Sequence, residues 1–302
     1  MTHRITFGRI KGLAIGLQDP LSMKIAVVYN WVEKATDATP MPEGWTGILR
    51  RFAESYRTFD AGYEHDLYVC VSGAPLTQHS TTILAGIQFR LLRYDGGGWD
   101  IGAYQHTAKQ LLNYDFVVCL NSQAHIRKAN WLSFFAAAFE RFGVGVYGSS
   151  SSFEISPHIR TCCIAFTPRL ILEYPLEVRC RYDAAVFEHS PRNFSQWALE
   201  KGLPVCVVGQ SGVDHLAHSR NRPDIFRRGS QAELLIHDRH TIIYSSASPA
   251  EKERLEKQAD GKLDEPFVFL GPIHHMVVRH PLFRTARAVR NRARESLKRL
   301  RG

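Results

Sequence analysis

The sequence lacks any long apolar run, and it nowhere approaches the roughly 18 consecutive apolar residues that a membrane-spanning helix needs. It also has no CxxC spacing among its six cysteines, most of which lie inside apolar stretches. That pattern indicates buried thiols in a reducing compartment and argues against a zinc site or a disulfide framework. No G-x-G-x-x-G follows the first predicted strand, and no Walker lysine follows the serines at 149–152. These absences disfavour a membrane-spanning protein, a disulfide-rich secreted protein and a dinucleotide-binding domain.

The net charge is close to zero over most of the chain, and the positive charge is concentrated at its C-terminal end. Residues 276–302 carry nine Lys and Arg residues against the single acid Glu295, which accounts for +8 of the net charge of +9. Residues 1–275 are therefore close to neutral, and no specific nucleic-acid binding is expected. After Pro281, apolar residues recur every three or four positions between arginines, which predicts a basic amphipathic helix over residues 281–301. Such a helix lies on an anionic membrane surface or packs on its own domain, and both alternatives stay open.

Between the two ends of the chain, segments with strand-like and helix-like patterns alternate. Short apolar runs and helical apolar spacings follow one another from residue 23 to residue 147. This alternation predicts an α/β fold with a mostly parallel sheet flanked by helices and joined by right-handed crossovers. We divide the chain into an N-terminal extension over residues 1–22, an α/β domain over residues 23–275 and the basic tail over residues 276–302.

The segment 95–122 joins a glycine-rich turn, a predicted helix and a buried strand, and it carries four candidate site residues. Gly98 and its neighbours allow a sharp turn or a close approach of the backbone to a ligand. Asp100 falls at the start of the predicted helix, where its side chain can cap backbone N–H groups. The apolar strand over residues 116–120 ends abruptly at Asn121 and Ser122. Ligands of open α/β sheets bind beyond the carboxyl ends of such strands, so we expect both residues to face a ligand.

Aromatic and polar residues also stand at the end of the first predicted strand, which covers residues 23–29. Tyr29, Asn30 and Trp31 bring two rings and an amide to this position. Such a group can cradle a nucleobase, although an Asn at a strand end is also a common turn residue. We predict substrate contacts for all three.

The order of these motifs resembles a GT-A type glycosyltransferase domain, similar to bacterial rhamnan-synthesis F-like and family 2-like polysaccharide glycosyltransferases. The family signature N/D-x-G-x-D-x-G-x-Y is similar to residues 95–104, and the following Y-D-x-hydrophobic-L-N-D/S is similar to residues 114–122. Two looser similarities follow, a strand over residues 158–166 and a helical stretch over residues 187–204. The resemblance covers roughly residues 23–210.

The resemblance implies an enzyme that transfers a sugar from a nucleotide-sugar donor to a cell-envelope polysaccharide, such as lipopolysaccharide, or to a lipid-linked glycan. Glu188 is the candidate catalytic base for the acceptor hydroxyl, and a solvated helix carboxylate is the alternative. Asp100 is expected to hold the donor ribose, the donor sugar or the helix terminus. A cytoplasmic position on the inner face of the plasma membrane is expected through residues 281–301. The predicted substrate-binding residues are Tyr29, Asn30, Trp31, Gly98, Asn121, Ser122, His158, Arg160 and Thr161.

One departure from the family's pattern concerns the metal ion. Most GT-A enzymes hold Mg²⁺ or Mn²⁺ with a D-x-D motif after the fourth strand, where this chain has Asn121, Ser122 and Gln123. Neutral amides are poorer ligands for these cations than carboxylates, so we assign no metal ligand. Either the enzyme works without a metal, or it holds one elsewhere, for example through His274 or His275, or catalysis has been lost. The last alternative predicts a catalytically inactive, glycosyltransferase-like binding subunit that supports a partner enzyme.

Overall fold

The computed structural model describes residues 23–34 and 43–262, within which twelve strands and ten helices are formed. The strands are β1 Ile25–Glu33, β2 His65–Gly73, β3 Arg90–Tyr94, β4 Phe116–Leu120, β5 His125–Ile126, β6 Val146–Gly148, β7 Ser151–Ser152, β8 His158–Ile159, β9 Cys163–Phe166, β10 Val205–Gly209, β11 Gly212–His215 and β12 Ile236–His237. The helices are α1 Gly44–Thr58, α2 Gln78–Leu84, α3 Trp99–Ala108, α4 Trp131–Phe142, α5 Pro168–Glu173, α6 Arg181–His189, α7 Phe194–Glu200, α8 Leu216–Ser219, α9 Arg239–Ser246 and α10 Pro249–Ala259.

Eight of these strands form a central sheet in the order β11-β10-β6-β9-β4-β1-β2-β3. Strands β3, β2, β1 and β4 are parallel neighbours, and β6 pairs in parallel with β10. Strand β9 runs antiparallel between β4 and β6, and β11 is antiparallel to β10 at one edge. Six of the eight strands therefore share one direction. The predicted α/β architecture with a mostly parallel sheet flanked by helices is confirmed.

Helices cover both faces of the sheet, and the central strand β1 shows the resulting two-sided burial. Val27 and Tyr29 point to a core shared with helices α1 and α4. Ala26 and Val28 point to a second core shared with helices α3, α6 and α7. All four residues are fully buried. A strand covered on both faces needs apolar residues at successive positions, which explains its continuous apolar run.

The predicted strand over residues 158–166 is divided in the structure. Its first two residues form β8, which pairs with β7, and its last four form β9 in the central sheet. The residues between them turn the chain at the end of the sheet where β4 finishes, since Leu120 pairs with Cys163. This turn places Arg160 and Thr161 at the end of the sheet where the parallel strands finish.

Several predictions concern residues outside the described part of the chain. The extension over residues 1–22, the basic tail over residues 276–302 and His274 with His275 all lie there, so the predicted domain boundaries stay predictions. In the described ranges, none of the helices combines the length and apolar character of a membrane span. All six cysteines lie in those ranges, and they are free thiols of which only Cys180 is exposed.

Candidate active site

Three of the predicted site residues meet at the end of the sheet where the parallel strands finish. Asp100 lies in the first turn of α3, Asn121 directly follows β4, and Glu188 lies in the last turn of α6. Burial and then the negative charge of Glu188 raise the pKa of Asp100 to about 7. A hydrogen bond from the Asn121 side chain opposes this rise in the pKa. The side chains of Asn121 and Glu188 therefore both act directly on the Asp100 carboxyl group.

Tight packing of the glycine turn fixes the position of Asp100. The Gly98 N–H donates to the Tyr94 hydroxyl at 3.1 Å, and this bond ties the turn to the end of β3. A Cβ atom at Gly98 would lie 2.3 Å from the carbonyl oxygen of Val178, so no larger residue fits there. The glycine is thus explained by a close approach within the protein. Its predicted ligand contact stays a prediction, and these surroundings do not support it.

Glu188 is held by a backbone donor and lies between two imidazoles. The Thr161 N–H donates to Glu188 Oε1 at 3.2 Å. His158 Nε2 lies 3.8 Å from Oε1, and His189 Nε2 lies 3.6 Å from Oε2. Burial opposes ionisation of Glu188, but the two imidazoles, the Thr161 N–H and Arg160 outweigh it and lower its pKa. Glu188 is therefore a carboxylate near neutral pH, and with about a fifth of its side chain exposed it remains accessible from solvent.

The imidazole of His158 is positioned from its other side. Its Nδ1 lies 2.8 Å from the carbonyl oxygen of Ser156, so Nδ1 carries the proton and donates. Burial lowers the pKa of His158 to about 4, and the neighbouring His189 adds to this effect. The ring is thus largely neutral near pH 7, and its positive charge lowers the pKa of Glu188 only at the lower pH where it is protonated. The predicted site residue His158 is a neighbour of the candidate base.

Arg160 has a buried partner that the sequence analysis missed. Its Nη2 donates to Asp238 Oδ2 at 2.5 Å, and both side chains are buried. Although burial opposes its ionisation, Arg160 holds the pKa of Asp238 far below the usual range. Asp238 also begins α9, where its side chain accepts from the Thr241 N–H at 3.0 Å. The Asp-x-x-Thr spacing is a local capping signal, and it is the one feature of the sequence that could have marked Asp238.

The residues predicted at the end of the first strand do not lie in this group. Strand β1 continues to Glu33, so Tyr29 and Trp31 remain inside the sheet and are 0% and 1% exposed. Tyr29 stacks on Phe52 with ring centroids 3.5 Å apart, and Trp31 stacks on Trp45 at 5.4 Å. These contacts make both residues part of the core. Their predicted substrate contacts stay predictions that this packing does not support.

Asn30 and Ser122 lie near the same end of the sheet, but they are not part of this group. Asn30 is 1% exposed and accepts a hydrogen bond from the Ser72 hydroxyl at 3.2 Å, while its Nδ2 has no partner among the described residues. The carbonyl of the buried Ser122 accepts from the Tyr29 hydroxyl at 2.8 Å. A buried amide donor without a partner among the described residues is unusual in a folded protein. The structure thus groups six of the eleven predicted residues: Asp100, Asn121, His158, Arg160, Thr161 and Glu188.

Among the described residues, the side chains of the candidate site do not form a complete ligand set for a divalent cation. Asn121, at the position of the expected D-x-D, uses its Oδ1 to accept from the Gln123 N–H at 3.1 Å and its amide to bond Asp100. In the described ranges, no group of three or more His, Cys, Asp or Glu residues is arranged to hold a metal ion. The chemistry proposed below therefore contains no step through a metal.

Comparison with known proteins gives similarities of fold. No protein-family model matches the chain, and no curated protein matches it in sequence. A cytidylyltransferase from Leptospira borgpetersenii is 17% identical, with 59% of this chain and 73% of that chain covered and a TM-score of 0.40. HddC from Yersinia pseudotuberculosis is 11% identical, with 51% and 82% covered and a TM-score of 0.37. TarS from S. aureus is 14% identical, with 54% and 32% covered and a TM-score of 0.37. At these identities and scores, function has to be argued from the side chains of this chain.

Proposed function

We propose that the protein is a glycosyltransferase that moves a sugar from a nucleotide-sugar donor to a hydroxyl group of a glycan or lipid-linked acceptor. The observation that carries this proposal is the meeting of Asp100 and Glu188 beside Asn121 at the carboxyl ends of the parallel strands. The pKa of Asp100 is raised to about 7 and that of Glu188 is lowered. Two neighbouring carboxyl groups with opposite pKa changes are suited to different roles in one reaction.

Glu188 has the properties of a general base in this reaction. It is ionised near neutral pH and remains partly accessible, and the Thr161 N–H fixes one of its oxygens. The acceptor hydroxyl gives its proton to Glu188 while its oxygen bonds to the anomeric carbon of the donor sugar. The bond from that carbon to the diphosphate breaks, and its electron pair leaves with the nucleoside diphosphate.

Asp100 is suited to holding a sugar hydroxyl. Because its pKa is raised to about 7, it still carries a proton in part of the molecules at neutral pH, and the protonated form both donates and accepts hydrogen bonds. Asn121 contributes an amide at the same place, and a substrate hydroxyl can bond both groups. We assign Asp100 and Asn121 to orienting the donor, and Glu188 to taking the acceptor proton.

The test measures binding and turnover with a panel of UDP-, GDP-, dTDP- and CDP-sugars, with and without Mn²⁺, using thermal shift and release of nucleoside diphosphate. Glu188→Gln keeps the shape of the side chain but cannot take a proton, so turnover is expected to fall by about 10²- to 10⁴-fold with binding retained. Glu200→Gln is the matched control, because Glu200 is an exposed helix carboxylate paired with Arg192.

The outcomes of this test separate the candidate functions. Full turnover in Glu188→Gln would remove Glu188 as the base. Binding of a sugar nucleotide without turnover in the wild type would favour the inactive binding subunit, which Asn121 and Ser122 in place of the D-x-D already favour. Consumption of a nucleoside triphosphate with release of pyrophosphate would replace glycosyl transfer by nucleotidyl transfer. If none of the sugar nucleotides binds, the proposal is wrong.

A membrane-bound acceptor is the part of this proposal that depends on the basic tail. Residues 281–301 combine apolar residues at helical spacing with basic residues, each worth about 1 kcal/mol near anionic lipid. We expect a variant ending at residue 280 to lose binding to vesicles that contain phosphatidylglycerol. Equal vesicle binding by the full chain and the truncated chain would contradict this expectation.

A further inference from the structure

The loop over residues 220–231 contains a buried arginine, Arg227, that has no carboxylate partner among the residues the structure describes. Its neighbours are paired, since Arg222 lies 2.8 Å from Glu233 and Arg228 lies 2.7 Å from Asp260. Arg227 is 7% exposed, and within the described residues no carboxylate oxygen lies within ion-pair distance of its guanidinium. A buried cation without a counter-ion is costly, and removing it from water is repaid only when an anion approaches it.

The hydrogen bonds of Arg227 are made to neutral groups, and one of its donors has no partner in the described part of the chain. Nη1 donates to Gln258 Oε1 at 3.1 Å, and Nη2 donates to His240 Nδ1 at 3.1 Å. His240 can accept because burial lowers its pKa to about 4 and keeps the ring neutral. The third donor, Nε, is buried and has no partner among the described residues. Arg227 is therefore oriented by two bonds and has an N–H left for a ligand.

A second guanidinium increases the positive charge at this place. Arg160 lies over the ring of Phe226 with Cζ 3.8 Å from the centroid, and Cζ of Arg227 lies 5.1 Å from the same centroid. Burial and then the charge of Arg160 lower the pKa of Arg227 to about 10, so it is still charged near neutral pH. Among the described residues, Asp238 is the only carboxylate that contacts this pair, and it bonds Arg160. Two cations thus share one contacting anion in the described part of the molecule.

A further carboxyl group, Glu154, acts electrostatically on Arg227 but neutralises it only in part. The Gln258 amide stands between them, accepting from Arg227 and donating to Glu154. Burial raises the pKa of Glu154 to about 7, so it carries a proton for part of the time. Glu188 acts electrostatically on both Glu154 and Arg160. The positive charge of this loop is therefore close to the candidate active site.

The backbone of this loop is strained where it presents Arg227. Three residues other than glycine have left-handed backbone angles, with φ of 53° at Asp224, 46° at Arg227 and 59° at Gln231. Such conformations cost roughly 1 kcal/mol or more each and persist where the surroundings impose them, often at functional sites. The side-chain amide of Gln231 is also buried without a hydrogen-bond partner in the described ranges. Strain and unpaired buried polar atoms thus occur in one short loop.

We propose that Arg227 binds a phosphate group of the substrate, namely the diphosphate of the nucleotide-sugar donor. The proposal rests on the function proposed above, because that function supplies the diphosphate. A guanidinium matches phosphate oxygens in shape and charge and stabilises the negative charge of a departing nucleoside diphosphate. In this role Arg227 would stabilise the negative charge that develops on the leaving nucleoside diphosphate.

The experiment measures affinities of three proteins by calorimetry at pH 7. Arg227→Gln is expected to bind UDP, GDP, dTDP or CDP, whichever the wild type binds, about 10- to 100-fold more weakly, as is typical for loss of a charged hydrogen bond. The affinity for the corresponding nucleoside, which has no phosphate, should not change. Arg228→Gln is the matched control, because Arg228 already pairs with Asp260, and its diphosphate affinity should equal that of the wild type.

Folding defects are separated from ligand effects by a second variant and by stability. Because Arg227→Gln removes a buried unpaired charge, the unliganded variant should melt no lower than the wild type. If Arg227→Gln does not fold, the diphosphate affinity of Arg227→Lys tests the proposal instead. Lys keeps the positive charge but lacks the planar guanidinium that binds phosphate oxygens with two N–H groups. We expect Arg227→Lys to bind the nucleoside diphosphate at least threefold more weakly. Wild-type diphosphate affinity in the foldable variant overturns the proposal.

Additional ligands identify the source of the phosphate and separate this proposal from the function itself. Inorganic pyrophosphate that binds through Arg227 supports the phosphate site even if no sugar nucleotide is turned over, in which case the proposed function fails alone. Wild-type turnover of a sugar nucleotide by Arg227→Gln overturns the phosphate site and leaves the proposed function standing. If binding of a short polyprenyl phosphate, and not of a nucleoside diphosphate, requires Arg227, the donor assignment is wrong.

Discussion

The end of β1 and the start of β9 lie at the same end of the central sheet, but different kinds of contact hold them in place. At the end of β1, Tyr29 and Trp31 are enclosed by aromatic rings of α1. At the start of β9, Arg160 and the Thr161 N–H bond carboxylates from other elements, namely Asp238 and Glu188. The first region is closed by apolar contacts, and the second is held together by hydrogen bonds and charge.

The difference teaches that position at a strand end does not by itself make a residue functional. Alternation along β1 directs Tyr29 and Trp31 towards α1, whereas Asn30 points to the other face, where its amide keeps an unpartnered N–H. Large rings at such a position fill the core when a helix supplies partners. Buried polar groups whose hydrogen bonds and charges are incompletely matched are better markers of a site.

The largest effect that would test this contrast is expected from Trp31→Ala. Loss of a fully buried ring that stacks on Trp45 should lower the free energy of unfolding by about 3 to 5 kcal/mol, measured by urea denaturation. Trp99→Ala is the control, because the Trp99 ring is 51% exposed and should cost less than about 1 kcal/mol. Unchanged stability of Trp31→Ala together with lost nucleotide binding would restore Trp31 as a ligand contact.

The next largest effect is expected from Asp100, in the charged region, where the free energy of unfolding depends on pH. Unfolded chains lose the Asp100 proton near pH 4, whereas the folded protein keeps it to about pH 7. Asp100 therefore makes the wild type less stable as the pH rises through this window, by roughly 2 to 4 kcal/mol in total. Asp100→Asn, which mimics the protonated form, should gain stability relative to the wild type from pH 4 to pH 7.

The comparison of these two proteins also removes the effect of the buried histidines on stability. Buried neutral histidines such as His158 change stability with the opposite sign, since the unfolded chain binds a proton that the folded chain excludes below about pH 6.5. This contribution is present in both proteins and cancels in their difference. A stability difference between the wild type and Asp100→Asn that stays constant from pH 4 to pH 7 would contradict the raised pKa.

The smallest effect is expected from Ser72→Ala. The substitution removes the hydroxyl that donates to Asn30 Oδ1 and should cost about 0.5 to 1.5 kcal/mol of unfolding free energy. Nucleotide affinity should stay within a factor of two if Ser72 only supports the core. An affinity loss above tenfold at unchanged stability would show that Ser72 helps Asn30 to hold a ligand.

The parts of the site that could be predicted from sequence depend on short-range signals. The apolar run over residues 116–120 is observed as β4 with those bounds, and Asn121 follows it as expected. Asp100 lies in the first turn of α3, directly after the glycine turn. In each case the pattern that carries the prediction and the structure that results lie within about ten residues of each other.

The parts that could not be predicted depend on contacts between distant segments. Arg160 and Asp238 are 78 positions apart, and no periodic pattern in the sequence indicates that they pair. Arg227 lies in a polar segment whose weak periodicity conceals the strained loop. The burial of Tyr29 also depends on distant contacts, because the extension of β1 to Glu33 and the rings of α1 decide it.

The antiparallel course of β9 has a consequence for how the site can evolve. It brings the main-chain N–H of Thr161 to Glu188, so the carboxylate is oriented by an atom that every amino acid except proline supplies. Relatives that keep this turn are therefore free to exchange the side chain at position 161 for others of similar size. Proline alone would remove the donor and release the carboxylate.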